Sequence, residues 1–258
     1  MRIGNEINGF KEDISLSSNS INRVSTGIYR LDELLSGGLP SNSITLVSGS
    51  PGSGKTILCY HYLLEGLNNG EKCLFITSDE RIGNIVKQAK QLGFDFKPWM
   101  EAGKIKFIYL DLENSSIYKQ IEEEIRSGNY SRVVLDSITP VSEVPVWTSG
   151  INEFTPSDYS TEKKYPIGSI PATRMHVRRI MSIFSQNNCT ALITSEVSCD
   201  SCSYSRDTIS EFLADGIIYL DLDTTMDRRK LTIRKMRSTK HTLKPQDIVI
   251  TEGGIKFI

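Results

Sequence analysis

Eight consecutive residues, Gly49-Ser50-Pro51-Gly52-Ser53-Gly54-Lys55-Thr56, satisfy the spacing G-x-x-x-x-G-K-[ST]. Each residue type in that spacing has a physical task. Glycines let successive backbone N–H groups turn toward one point and form a concave anion site. A helix beginning at the end of the loop adds the partial positive charge of its N-terminus. Lys55 then reaches the β- and γ-phosphates of a nucleoside triphosphate, and the Thr56 hydroxyl ligates Mg²⁺. The segment through Ile57 is therefore expected to hold ATP and Mg²⁺. A chance Gly/Ser-rich turn would lack the flanks that the motif needs; here an apolar strand, 43–48, precedes it and a helical pattern follows.

Two further acidic positions fit the same chemistry. Asp136 closes the apolar run Arg132-Val133-Val134-Leu135. An acid at the carboxyl end of a parallel strand stands where ligands bind in open α/β sheets, and it is expected to hold Mg²⁺ with Thr56. After the strand 72–77 come Ser78, Asp79 and Glu80. One of the two acids is expected to orient and deprotonate the attacking water, while Ser78 or Asp79 is free to cap the following helix.

The elements that must position these residues alternate. Helical periodicity covers 28–35, 54–67, 82–92, 115–125 and 171–187, with Pro171 suited to a first turn. Strands are expected at 43–48, 72–77, 104–110, 132–136 and 189–195. Near-continuous apolar strands alternating with helices imply an α/β fold, a mostly parallel sheet covered on both faces. Beyond Gly216 the short strands 217–222, 231–236, 247–250 and 255–258 read as an antiparallel C-terminal extension of that sheet. Residues 1–22 are rich in Ser and Asn and read as a flexible arm ahead of one domain, 23–258. The stretches 139–169 and 198–208 show no regular pattern.

Composition narrows the partners. A net charge of −1 over 258 residues argues against constitutive nucleic-acid binding. No apolar run reaches the ~20 residues that span a bilayer, and the polar start is no secretory signal. The five cysteines are an odd number, which fits reduced thiols in a cytoplasmic protein better than a disulfide framework.

The ordered motifs resemble the KaiC-like branch of the RecA superfamily. The likeness runs through residues 26–40 (TGIYRLDELLSGGLP), the phosphate loop, the acidic pair, Leu135-Asp136-Ser137, residues 215–220 (DGIIYL) and 235–241 (KMRSTKH). It implies a RecA-like P-loop ATPase in a single copy, assembled as a homo-oligomer, commonly a hexameric ring, with ATP between neighbours. It also implies that Lys235 and Arg237 act on the neighbour's nucleotide, with Met236, Thr239 and His241 near base and ribose. From the residues alone, Lys235 and Arg237 would be the exposed face of an edge strand. Two departures stand out: Asp79 replaces the family's usual Glu, and Glu196 stands where RecA-type proteins often carry a phosphate-sensing Gln.

Weaker signals remain. Cys199 and Cys202 form a C-x-x-C pair without the second pair that zinc needs. Arg174 and Arg178 share a helix face, and Trp147, Tyr159 and Tyr165 lie in the long loop; solvated or protein-facing surfaces explain them more simply than a base-stacking channel. The expected function is an oligomeric regulatory switch with slow Mg-dependent ATP hydrolysis. The alternatives are a recombinase paralogue that grips single-stranded DNA and an ATP sensor with little hydrolysis. No Ser or Thr is singled out for autophosphorylation.

Overall fold

The computed structural model describes residues 21–112, 117–143, 147–149, 152–154, 170–171, 173–197 and 203–258. In chain order the elements are β1 (Arg23–Val24), α1 (Tyr29–Leu34), β2 (Leu39–Pro40), β3 (Ile44–Gly49), α2 (Lys55–Asn68) and β4 (Cys73–Thr77). Then come α3 (Ile82–Gln91), α4 (Lys97–Glu101), β5 (Ile105–Tyr109), α5 (Ile117–Gly128), β6 (Arg132–Asp136) and α6 (Ile138–Glu143). They are followed by β7 (Trp147–Ser149), β8 (Asn152–Phe154), β9 (Ile170–Pro171), α7 (Thr173–Gln186) and β10 (Thr190–Glu196). The last are α8 (Ser210–Leu213), β11 (Gly216–Asp223), β12 (Arg228–Met236), β13 (Gln246–Thr251) and β14 (Gly254–Phe257).

Among the described residues one nine-stranded sheet organises the fold, in the order β14-β13-β12-β11-β3-β10-β6-β4-β5. The strands from β11 to β5 run parallel to one another, whereas β12, β13 and β14 join antiparallel. β11 is the joint, because it pairs parallel with β3 on one side and antiparallel with β12 on the other. Alternation along the strands supplies two cores. Val47, Phe75, Val134 and Leu192 pack under α1, α2 and α3. Leu46, Leu74, Leu135 and Ile193 face the opposite way, against α5, α6 and α7.

Arg132 is the one charged side chain fully buried in a central strand among the described residues. It pairs with Glu71, donates to the carbonyls of Ser25 and Tyr62, and lies 4.7 Å over the Tyr62 ring. Its charge is thus compensated as burial requires. Gly66 makes room for it, since a Cβ there would stand 2.3 Å from Arg132 Cδ.

Several sequence expectations are corrected. The stretch 139–169 begins inside α6, where Ile138 and Val141 pack into the core and Pro140 sits in the first turn, whose N–H groups have no intrahelical partner to lose. A three-stranded sheet, β8-β7-β9, also falls within or beside it. Pro171 belongs to β9, opposite Trp147, and the helix starts at Thr173. A proline is compatible with an outer strand, which spends only one side in the ladder. The short β1, β2, α4 and α8 were not anticipated, because two to five residues give no readable period. Residues 1–20 of the arm expected over 1–22, and Tyr159, Tyr165, Cys199 and Cys202, lie outside the described residues.

Candidate active site

Four neighbouring strands end in one row. Register places Gly49 of β3 beside Glu196 of β10, and Asp136 of β6 beside Thr77 of β4, with β10 and β6 paired between them. Every acid and cation of the site emerges from this carboxyl edge or from the turn that follows it.

The loop from Gly49 to Lys55 is shaped by its glycines. A Cβ on Gly49 would lie 2.3 Å from the Leu220 carbonyl oxygen and 2.6 Å from Ser53 Oγ, so no side chain fits. Gly52 and Gly54 take positive φ values of 79° and 106°. Gly54 is the N-cap of α2 and gives no side-chain cap, leaving the helix's first N–H groups without a side-chain partner. Ser53 Oγ is buried with no hydrogen-bond partner among the described residues. An anion is what such a cradle accepts, and a phosphate group fits it.

Lys55, in the first turn of α2, is buried and donates from Nζ to the carbonyls of Gly49 at 2.9 Å and Ser50 at 3.1 Å. Burial holds its pKa below the usual lysine value, opposed by the nearby Glu196 and Asp136 carboxylates. Thr56 Oγ1 donates to Asp136 Oδ2 at 2.7 Å, and Thr194 Oγ1 donates to the other oxygen of the same carboxylate. Burial raises the Asp136 pKa, while the two hydroxyls pull it back. Among the described residues no three His, Cys, Asp or Glu side chains form a ready metal cage. Mg²⁺ needs none: it is held through one or two protein oxygens plus phosphates and waters, and Thr56 with Asp136 matches that donor set.

The two candidate bases part company. Ser137 Oγ donates to Asp79 Oδ2 at 3.1 Å, which turns that carboxylate toward the end of β6. Burial raises its pKa, and the Asp136 and Glu196 charges add to the rise. Glu80 instead accepts from Gln88 Nε2 of α3 at 2.6 Å. Neither Ser78 nor Asp79 caps α3, whose N-cap is Arg81 without a side-chain bond. Glu196 is exposed at the end of β10, and its N–H donates to Thr139 Oγ1 at 3.0 Å. A cavity of about 380 Å³ joins these groups. Its polar lining includes Lys55, Thr56, Asp79, Glu80, Gln88, Asp136 and Glu196, and its apolar lining Pro51, Ile57, Tyr60, Ile85 and Leu92. Sequence reading gave no role to Thr194, Ser137 or Gln88, since nothing in composition or period marks a hydroxyl or amide as the brace of an acid.

Lys235, Met236, Arg237, Thr239 and His241 are not brought to this cavity. Met236 pairs with Gly216, which pairs with Thr45 at the opposite end of β3. Four residue steps along the strand lead from Thr45 to Gly49, roughly 13 Å. There Lys235 Nζ donates to the carbonyls of Glu211, Phe212 and Ala214 around the end of α8, and burial lowers its pKa. Arg237 pairs with Asp215 at 2.9 Å, Met236 is buried, and His241 Nδ1 lies 3.2 Å from the Thr242 carbonyl oxygen. β12 is not the sheet's edge, which corrects that expectation in part. β13 covers it only over Arg229–Leu231, so its outer side is open from Thr232 onward among the described residues.

The family model described as "ATPase: KaiC" matches residues 24–146 and 167–258. The UPF0273 protein MJ1359 of Methanocaldococcus jannaschii is 31% identical over 240 residues, spanning 90% of this chain and 95% of its own. The UPF0273 protein MK0039 of Methanopyrus kandleri is 28% identical over 242 residues, spanning 92% of each chain. Among solved structures, that of the KaiC-like protein PH0186 from Pyrococcus horikoshii OT3 is similar with a TM-score of 0.76 at 26% identity. It covers 93% of this chain and 100% of that one.

Proposed function

Because the chain belongs to the KaiC family of ATPases, we propose that it binds Mg·ATP at the loop Gly49–Ile57 and hydrolyses it slowly, as a homo-oligomer in which neighbours complete each other's sites. The observation that carries this reading is the convergence of Lys55, the Thr56–Asp136 pair and Asp79 at one carboxyl edge of the sheet. Backbone donors from the loop, the N-terminus of α2 and the Lys55 ammonium bind the triphosphate. Thr56 and Asp136 would hold Mg²⁺, which would neutralise charge on the phosphates.

Asp79 is the base in this reading. Its carboxylate is braced by Ser137 and accepts a proton from the attacking water, whereas Glu80 is occupied by Gln88. Burial, the largest cause of its raised pKa, makes Asp79 a better proton acceptor than an exposed aspartate. Its short side chain is consistent with slow turnover.

Lys235 and Arg237 are assigned to the neighbour's nucleotide, with Met236, Thr239 and His241 beside base and ribose. Their distance from their own phosphate loop supports this, and so does Phe212, 63% exposed on α8 beside Lys235, as an apolar contact for a second copy. A hexameric ring is the assembly inferred from the family. The output is inferred to be regulatory, ATP occupancy setting the geometry of the assembly for a protein partner. The buried free thiols Cys59, Cys73 and Cys189 suit a reducing, cytoplasmic setting. Among the described residues no helix is long and apolar enough to cross a membrane.

Single-turnover phosphate release, measured with and without Mg²⁺ and with single-stranded DNA added, tests the reading. It expects Mg-dependent release that DNA leaves unchanged. Stimulation by DNA would favour the recombinase alternative, and binding without release the sensor.

A further inference from the structure

The segment after β12 has few anchors of its own. Met236 is its last ladder residue, and Ser238 takes a left-handed φ of 56°, so the chain leaves the sheet in a turn. Arg237 is tied to Asp215 twice, through its N–H at 2.9 Å and its guanidinium at 2.9 Å. Beyond it, the tertiary hydrogen bonds described for 238–240 come from the other end of the chain. Arg23 Nη1 donates to Thr239 Oγ1 at 2.5 Å and to the Gly38 carbonyl at 3.3 Å, while Nη2 donates to the Ser238 carbonyl at 3.1 Å. Ser36 Oγ adds a bond to the Lys240 carbonyl at 3.4 Å.

These bonds have a direction. Thr239 Oγ1 accepts from Arg23 and donates to the Arg237 carbonyl at 3.2 Å, so the guanidinium orients the peptide that carries Arg237. Arg23 is itself fixed. β1 pairs with β2, and a Cβ on Gly38 would lie 2.3 Å from the Val24 carbonyl oxygen, so only glycine lets the two segments close. A planar guanidinium can serve Gly38, Ser238 and Thr239 together, which a lysine ammonium on a flexible stem cannot match.

We propose that Arg23 is a positioning residue for ATP hydrolysis in the adjoining protomer: it holds the turn 237–241 in the geometry that presents Arg237 and Thr239 to the neighbour's nucleotide. This rests on the reading that the segment acts across the interface. The Arg23 contact then joins the chain's first strand to a site on another copy.

Arg23→Ala is expected to keep its own phosphate loop intact and to lower kcat by about ten- to a hundredfold, with KM changing less. Arg23→Lys should recover only a small part. The decisive readout is mixed assembly with Lys55→Ala, whose loop is disabled and whose turn 237–241 is intact. Turnover per Arg23→Ala subunit should rise as Lys55→Ala subunits are added, because a sound turn now faces a sound loop. Unchanged kcat in Arg23→Ala overturns the proposal. So does a mixture that stays inactive while the parallel mixture of Arg237→Ala with Lys55→Ala recovers. If neither mixture recovers, action across the interface has itself failed and the Arg23 role falls with it. Should Arg23→Ala not fold, Arg23→Lys takes its place in the same mixtures, with the same results expected and the same results overturning the proposal.

Discussion

In the proposed reaction Asp79 and Lys55 serve different steps, so their substitutions should separate. Lys55→Ala removes the buried ammonium at the mouth of the loop. Loss of one partner of such a charge pair costs about 2–5 kcal/mol, so calorimetry should show ATP affinity lowered at least about thirtyfold. Asp79→Asn should leave affinity within a few-fold and stop turnover, whereas Glu80→Gln should retain most of it. The Asp79 carboxyl also sets a pH dependence. A base acts only when deprotonated, and burial with two nearby acids raises this pKa. The acid limb of kcat/KM, which reports the free enzyme, should therefore lie above the ordinary aspartate range. Glu196→Gln removes one of those charges and should move the limb to lower pH. A limb that does not move would show that Glu196 and Asp79 are uncoupled.

At the scale of elements, the β13–β14 hairpin buttresses the phosphate loop. Ile250 Cδ1 lies 3.3 Å from the position a Cβ would take on Gly54, and the Ile255 N–H donates to His61 Nε2 of α2 at 2.9 Å. Burial pushes the His61 pKa down to about 4 from 6.5. Since the folded state holds the proton less tightly than the unfolded one, this stabilisation is complete above pH ~6.5 and fades as pH falls toward about 4. The melting temperature should drop over that window, and His61→Gln should flatten the drop. The hairpin strands were legible as short apolar runs, but their docking on α2 was not, because a neutral histidine accepting a backbone bond has no signature in composition or period. The central strands could be read for the opposite reason. β3, β4 and β6 each carry a compact apolar group (Ile44, Leu46 and Val47; Leu74, Phe75 and Ile76; Val133, Val134 and Leu135), and their ends coincide with Gly49, Thr77 and Asp136. Pro171 misled, since a proline ahead of a helical pattern suits either a first turn or an outer strand, and only the pairing with Trp147 decides. Thr194 was hidden in a buried strand, where a hydroxyl looks like any small residue until Asp136 stands opposite it.

At the scale of the whole molecule, Lys235 and Arg237 stand at the end of the sheet away from their own loop. A cation supplied by a neighbour requires association. Turnover per subunit should rise with protein concentration and level off as assembly saturates, while binding to the loop depends on it far less. Arg237→Ala should spare binding and lower turnover by about 10³-fold or more, the scale of an arginine supplied in trans to a phosphoryl transfer. Normal turnover in Arg237→Ala would remove the interface from the mechanism.

The most direct test is single-turnover conversion of Mg·ATP to ADP and phosphate by excess protein, with Asp79→Asn and Lys55→Ala alongside. Phosphate should appear with the unaltered chain only when Mg²⁺ is present, fail to appear with Asp79→Asn although ATP stays bound, and fall with Lys55→Ala in step with its weakened ATP binding. Phosphate released by Asp79→Asn at the unaltered rate, or none released by the unaltered assembled chain, would contradict the account.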